Sequence, residues 1–332
     1  MHLIIQIPCY NEAATLPEVI ADLPQVLPGI SRLETLVIDD GSRDDTVAVA
    51  NQLGIDHIVR HRYNRGLAVA FQTGLEACLK LGADIIVNTD GDHQYPGAEI
   101  VRLVEPILSG RADIVIGDRQ TRSITHFSPL KRFLQQWGSW IVRLASGTSV
   151  PDATSGFRAY TREAALRMVI LTRYTYTLET IIQAGKKGLR VLSVPIRVNA
   201  PLRESRLITN NWSYIKHSAA TILRLYTLYE PLKTFAYLSL PFLLVGLYLL
   251  VRFFYFYFTG ATGVGRHIQS IAVGGTSLTI GFLLIMLGIL GDLIATNRLL
   301  IEETLYRTKR QELAKSTPIT QTTEVEKEKS PW

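Results

Sequence analysis

The chain has 332 residues, with 35 Lys and Arg against 29 Asp and Glu, for a formal net charge of +6. That balance would suit nucleic acid, but no arginine–aromatic stripe or known reader motif accompanies it, so nucleic acid is excluded as a partner. Its two cysteines, Cys9 and Cys78, form no C-x-x-C pair and read as small packing residues of a reduced compartment.

The first residues, MHLIIQIP, lack the charged start and cleavage site of a signal peptide and run straight into a strand. Apolar runs at Leu3–Ile7, Thr35–Ile38, His57–Val59, Ile85–Val87 and Ile114–Ile116 predict strands. Between them Ala13–Leu23, Asp44–Leu53, Leu67–Leu81 and Ala98–Leu108 carry helical patterns. Alternation of apolar strands with helices predicts an α/β fold with a mainly parallel sheet covered on both faces. Such sheets take ligands at the carboxyl ends of their strands, where strand order reverses.

The polar clusters fall at those ends. Strand one is followed by Pro8-Cys9-Tyr10-Asn11-Glu12, strand two by Asp39-Asp40-Gly41-Ser42 and strand three by Asn64-Arg65-Gly66. Strand four leads into Asp90-Gly91-Asp92 and strand five into Gly117-Asp118-Arg119. Pro8 and Asn11 also suit the end of a strand and the cap of a helix. One rim built from five strand ends is a site. Neither G-x-G-x-x-G after the first strand nor G-x-x-x-x-G-K-[ST] is present, which disfavours a dehydrogenase or P-loop NTPase.

In VNTDGDHQYP, Val87–Pro96, extended alternation would put Asp90, Asp92 and Gln94 on one side and turn His93 away. Three hard oxygen donors suit Mg²⁺ or Mn²⁺ rather than zinc; a solvated turn is the ordinary alternative. Tyr10 offers a face for a base and Asp39 an acceptor for a base or ribose. A cation on Asp92 would neutralise a diphosphate. Together these describe a nucleotide-sugar site.

Farther along, Phe235–Phe258 and Ile268–Gly291 are long enough to cross a bilayer, which takes about 20 apolar residues in a helix. Arg203, Arg206, Lys216, Arg224 and Lys233 precede the first; Arg298, Arg307, Lys309 and Arg310 follow the second; only Arg266 lies in the loop between. The positive-inside rule then predicts a transmembrane hairpin with the catalytic domain and both termini cytoplasmic. Residues Asn210–Lys233 mix aromatic, aliphatic and basic side chains at helical spacing, as an interfacial amphipathic helix on membrane lipid does. Ser316–Trp332 is polar and reads as a disordered tail. The expected division is 1–206 (catalytic domain), 207–233 (amphipathic helix), 234–296 (hairpin) and 297–332 (basic, then disordered tail). Self-association through the membrane helices is left open.

Six motifs, IPCYNE (Ile7–Glu12), DDGSRDDT (Asp39–Thr46), NRGLAVAFQTGL (Asn64–Leu75), DGDHQYP (Asp90–Pro96), IGDRQ (Ile116–Gln120) and DATSGFRAY (Asp152–Tyr160), occur in that order. VPIRV (Val194–Val198) and RESRL (Arg203–Leu207) follow. Over about the first 210 residues the chain resembles family 2 glycosyltransferases of GT-A fold, most of all the membrane-anchored dolichyl-phosphate mannose synthase and polyprenyl-phosphate glycosyltransferase branch. The resemblance implies a Rossmann-like nucleotide-sugar domain in which Pro8, Tyr10, Glu12 and Asp39 line the nucleotide pocket. Asp90 and Gly91 approach ribose and diphosphate, and Asp92, supported by Asp90 and Gln94, ligates Mg²⁺ or Mn²⁺. Arg119 and Arg132 face phosphates of donor or acceptor. The common D-A-D stands here as D-G-D, and R-G-E-S-K is shifted to LRESRL, so the phosphate ligand is either Arg203 or Arg206.

The expected function is inverting, metal-dependent transfer of a hexose from GDP-mannose or a UDP-hexose to a polyprenyl phosphate of dolichyl type. A phosphate nucleophile needs no base. A lipid or polysaccharide hydroxyl, the alternative acceptor, needs a carboxylate such as Asp152 or Glu179. Glu179 also reads as a surface helix residue, and Arg158 as either a site residue or part of a turn with core aromatics. A catalytically inactive membrane scaffold is a third reading, opposed by the intact Asp90, Asp92 and Gln94.

Overall fold

The computed structural model describes residues 1–120, 143, 146–170, 176–199, 223–224, 226–259 and 268–315. The chain divides into two compact units, one comprising Met1–Ile215 with Thr304–Trp332 and the other Lys216–Glu303.

The first unit is built on seven strands: β1 (His2–Cys9), β2 (Arg32–Asp39), β3 (His57–Arg60), β4 (Ile85–Asn88), β5 (Ile114–Asp118), β6 (Arg158–Thr161) and β7 (Val191–Pro195). They form one sheet in the order β3-β2-β1-β4-β6-β5-β7. All pairings are parallel except those of β6, which runs antiparallel to both β4 and β5. Because β6 is reversed against both neighbours, the six other strands still point the same way. Leu3, Ile5, Ile7, Val37, Ile85, Val87 and Val115 are buried on one face, and Ile4, Leu36, Ile38, Ile86, Ile114 and Ile116 on the other, as both-face coverage requires of such strands.

Helices α1 (Leu16–Asp22), α2 (Thr46–Gln52), α3 (Leu67–Lys80) and α4 (Ile100–Leu108) connect the first five strands. Helix α4 is preceded by a 3₁₀ turn at Gly97–Glu99. Helix α1 begins three residues later than its periodicity predicts. Asn11 is not its cap: it takes a left-handed conformation, φ 56°, and its side chain accepts a hydrogen bond from Arg43 N at 2.8 Å. Helices α5 (Arg162–Arg167) and α6 (Tyr176–Lys186) follow β6.

β6 opens on Arg158, which is wholly buried. Its Nε donates to the Ser155 carbonyl at 2.8 Å and Nη2 to that of Ala153 at 3.0 Å. Nη1 donates to the Thr177 carbonyl at 2.8 Å and to Thr180 Oγ1 at 2.6 Å. The guanidinium thus ties the turn before β6 to the start of α6 and reaches no solvent, so a direct contact with a bound ligand is not what it makes here.

The second unit holds α7 (Pro231–Thr259) and most of α8 (Ile268–Lys315), both long and apolar enough to cross a membrane. Within those apolar windows only 11 % of residues are buried, unlike the core helices of a soluble protein. Glycines let the two backbones approach: a Cβ on Gly246 would come within 2.9 Å of the Gly274 carbonyl, and Ser277 Oγ donates to the Phe242 carbonyl at 2.9 Å. Helix α8 continues to Lys315, with neither glycine nor proline between Gly291 and that residue to stop it. Its last turns belong to the first unit. There Tyr306 donates to Glu163 of α5 at 2.8 Å, beneath the Arg167 guanidinium, and Lys309 meets Glu76 of α3 at 2.9 Å.

Arg158→Met strands three buried carbonyls and a hydroxyl, each worth about 1–3 kcal/mol. The unfolding midpoint of the detergent-solubilised protein should fall by roughly 10 °C or more, with Arg158→Lys recovering part of the loss. An unchanged midpoint in the Met variant would refute the tie.

Candidate active site

Strand order turns at β1, with β2 and β3 on one side and β4 on the other. The loops leaving β1 and β4 therefore face each other across the crevice where such sheets bind ligands. Their contact is close. A Cβ on Gly91 would lie 3.1 Å from Cys9 Sγ, 3.3 Å from Glu12 Cγ and 3.6 Å from the Pro8 carbonyl. Thr15 Oγ1 lies 2.7 Å from the Gly91 carbonyl and 2.8 Å from Glu12 Oε2, joining the two loops. Pro8 and Glu12 are buried here, while Tyr10 is exposed beside them.

Asp39, at the end of β2, is fully buried. Its Oδ1 accepts from Ser42 N at 3.0 Å; Oδ2 takes no hydrogen bond, with Arg60 Nε 3.2 Å away. An acceptor oxygen in that state can take a further N–H or O–H donor. Asp40 does different work. It accepts from Arg65 N at 2.9 Å and Gly66 N at 2.8 Å and meets His61 Nδ1 at 2.7 Å, fastening the loop after β3 to the end of β2.

Asp90 sits against Gly156, whose Cβ would lie 3.0 Å from Asp90 Oδ2 and 2.8 Å from the Tyr176 hydroxyl. Behind it a buried polar chain runs from Gln6 Nε2 to Asn88 Oδ1 (2.9 Å), and from Asn88 Nδ2 to the Gly156 carbonyl (2.9 Å) and Tyr176 (3.1 Å). Tyr176 stacks on Phe71 at 3.9 Å, and Tyr95 stacks on Phe157 at 4.9 Å. Burial, and next the neighbouring Asp92, push the Asp90 carboxyl up to about 7, against the pull of Arg119 and Arg158.

Extended alternation does not carry β4 through this loop. The strand ends at Asn88, a turn covers Gly91–Asp92, and His93 is left-handed with φ 57°. Asp92 Oδ1 accepts from Gln94 N at 3.1 Å, so a side-chain turn, not a pleat, relates the two residues. His93 does face away from Asp90 and Asp92, toward Glu18 at 3.6 Å and Asp22 at 3.4 Å.

Two carboxylates crowded at a partly buried rim form a hard, electron-rich donor set that fits Mg²⁺ or Mn²⁺. Among the described residues no group of three His, Cys, Asp or Glu is placed to hold a metal. A cation on these two carboxylates would need its remaining ligands from elsewhere, such as the Gln94 amide, solvent or phosphate oxygens.

Arg119, after β5, is forked onto Asp152: Nε to Oδ2 at 2.8 Å and Nη2 to Oδ1 at 3.0 Å, with Nη2 also 2.7 Å from Thr154 Oγ1. Although burial opposes it, the guanidinium holds the Asp152 carboxyl below the usual carboxylate range. Glu179 is not a surface residue: it is fully buried on α6. Arg132, Arg203 and Arg206 lie outside the described residues. Thr15, Asn88, Tyr95, Gly156, Tyr176 and Asn199 also shape the site and were not singled out from sequence. Of these, Gly156, in SGFRAY, and Asn88 and Tyr95, in VNTDGDHQYP, lay within stretches quoted from the sequence.

Residues 4–168 match the glycosyl transferase family 2 domain. The chain is 30 % identical over 204 residues to the polyprenol monophosphomannose synthase of Mycolicibacterium smegmatis, spanning 58 % of this chain and 76 % of that one. It is 30 % identical over 219 residues to the undecaprenyl-phosphate mannosyltransferase of Micrococcus luteus, spanning 62 % and 88 %. Its fold is similar to that of glucosyl-3-phosphoglycerate synthase from Mycobacterium tuberculosis, crystallised with Mn²⁺, uridine diphosphate and glucosyl-3-phosphoglycerate. The TM-score is 0.53 at 23 % identity, over 68 % of this chain and 79 % of that one. The mixed sheet is thus of GT-A type, and the extent of the sequence matches places the chain in glycosyl transferase family 2.

Proposed function

We propose that the chain transfers a hexose, with inversion, from GDP-mannose or a UDP-hexose to a polyprenyl phosphate at the cytoplasmic membrane face. The names of its relatives support that acceptor class. The observation that carries the choice of a phosphate over a hydroxyl is the condition of the two candidate bases. Asp152 is forked onto Arg119 and held ionised below the ordinary range, and Glu179 is buried. The Asp152 oxygens are engaged by Arg119 and the Glu179 side chain lies inside the fold, so neither is presented to an acceptor hydroxyl. A phosphomonoester, with a second pKa of about 6, arrives as an anion and needs no base.

In this reading the Asp39 Oδ2 oxygen accepts from base or ribose, and Tyr10 offers its ring to the base. Pro8, Glu12 and Gly91 shape the wall. Asp90, Asp92 and Gln94 hold Mg²⁺ or Mn²⁺, which supplies charge neutralisation for the departing nucleoside diphosphate. Arg119, oriented by Asp152, adds a fixed positive charge beside Asp90, where charge develops as the sugar leaves. Arg132 and either Arg203 or Arg206 receive the acceptor phosphate through bidentate hydrogen bonds. Inversion follows from a single in-line displacement. Residues 207–233 lie on anionic lipid, and α7 and α8 anchor the chain with their connecting loop outside.

Asp92→Ala should abolish transfer, and Asp92→Glu should leave little. Chelation should stop turnover, and added Mg²⁺ or Mn²⁺ should restore it. Full turnover by metal-stripped protein in excess chelator would remove the metal from the scheme.

With labelled nucleotide sugar and polyprenyl phosphate, Arg203→Ala or Arg206→Ala should raise the KM for the acceptor about tenfold, the loss of one charge-assisted contact. The donor KM should change less, and Glu179→Gln should keep most of its kcat. A dead Glu179→Gln enzyme that folds normally, normal arginine variants and equal use of free polyprenol would reassign the acceptor as a hydroxyl.

A further inference from the structure

The loop from Asp90 to Gln94 is held on one limb by Thr15, whose hydroxyl lies 2.7 Å from the Gly91 carbonyl. Its other limb is held from a distant part of the chain. Asn199 Nδ2 donates to the His93 carbonyl at 3.0 Å, and Asn199 N donates to the Gln94 carbonyl at 2.9 Å. Two consecutive carbonyls are thus gripped by one residue, immediately after Asp92 and at the left-handed residue that bends the loop.

How Asn199 gets there is set by the sheet. β7 is the edge strand beside β5, and its last residue, Pro195, is paired with Asp118. Ile196 N then donates to the Asp118 carbonyl at 3.0 Å, and the Ile196 side chain covers Gly117, where a Cβ would lie 2.7 Å from it. Three residues later the chain reaches the loop that follows β4, although β5 and β6 stand between β7 and β4 in the sheet. Residues 195–199 therefore form a crossbeam over the strand ends, from the root of Arg119 to the rim that carries Asp92.

We infer that Asn199 is a positioning residue for the divalent cation, holding Asp92 and Gln94 in the arrangement that ligates it. The inference rests on the cation site proposed above. The left-handed His93 and the turn at Gly91–Asp92 leave the loop without strand hydrogen bonds, so its shape depends on outside tethers. Asn199 supplies two. The amide bond is open to substitution while the backbone bond persists, so the side chain can be tested without unpinning the crossbeam. The chain continues from Asn199 toward Arg203 and Arg206, so the same residue joins the cation loop to the proposed acceptor segment in sequence.

The test is direct Mn²⁺ binding to the full-length protein in detergent, read from the free-ion electron paramagnetic resonance signal, with and without nucleoside diphosphate. Asn199→Leu keeps the volume and loses the donor; Asn199→Gln keeps an amide donor on a longer arm. We expect Asn199→Leu to weaken Mn²⁺ binding about five- to tenfold, the size of one lost hydrogen bond. Asn199→Gln should recover part of it, with the thermal midpoints of both variants near that of the parent. The Mn²⁺ concentration for half-maximal turnover should rise in parallel, while the donor KM at saturating Mn²⁺ stays within about twofold. Parent-like Mn²⁺ affinity in a folded Asn199→Leu protein overturns the inference alone. Absence of Mn²⁺ binding by the unaltered protein overturns the cation site and the inference together. A Gln variant as weak as the Leu variant would also refute the claim that the amide donor is what matters.

Discussion

A buried guanidinium is the constraint on which this site depends. Removing the Arg158 charge from water costs several kcal/mol unless its donors are satisfied, and here the carbonyl and hydroxyl acceptors come from two segments, Ala153–Ser155 and Thr177–Thr180. Those segments must converge for the fold to form. Their convergence brings Gly156 onto Asp90 and Tyr176 onto Asn88, so the floor of the crevice is assembled by the same requirement. Arg158 never reaches the crevice, yet its charge lowers the cost of ionising Asp90.

The antiparallel insertion of β6 gives that requirement its geometry. Because β6 runs against its neighbours, its beginning lies beside the ends of β4 and β5, and Arg158 is in register with Asn88 and Ile116. A seventh parallel strand there would have delivered its far end instead. The charges at the rim follow a simple division. Asp90 and Asp92 repel, Asp152 spends its charge on Arg119, and Asp40 spends its charge on backbone amides and His61. Asp90 and Asp92 have no such close ion-pair partner among the described residues, a condition that a hard cation would relieve.

Much of this was legible in the sequence. β1 to β5 and the helices between them follow from apolar runs and helical periodicity, and the five rim clusters follow from where those runs stop. β6 was hidden because it is four residues long and begins with an arginine, which in SGFRAY reads as turn chemistry; burial of a charge by carbonyls from elsewhere has no local signature. β7 was seen as a motif and not as a strand, since Val191–Pro195 is short, half-exposed and ends in proline. The geometry of the Asp90–Gln94 loop was misread, because a left-handed histidine cannot be inferred from alternation. Asn199 carried no signal: its partners are backbone atoms more than a hundred positions away.

The two cysteines carry a practical consequence. Cys9 is pressed against Gly91, and Cys78 lies within α3; both are fully enclosed. Burial, aided at Cys9 by the acidic rim, pushes both thiols far above the range in which they ionise near neutral pH. Alkylation requires an accessible thiolate, so the native chain is chemically silent toward water-borne maleimides and iodoacetamides. A cysteine added at Gly263, between the two apolar helices, or at Ser316 would report its own side of the membrane with no native signal to subtract. The tight packing that shapes the crevice also spares such mapping from a cysteine-free background, in which replacing Cys9 would disturb the wall beside Gly91.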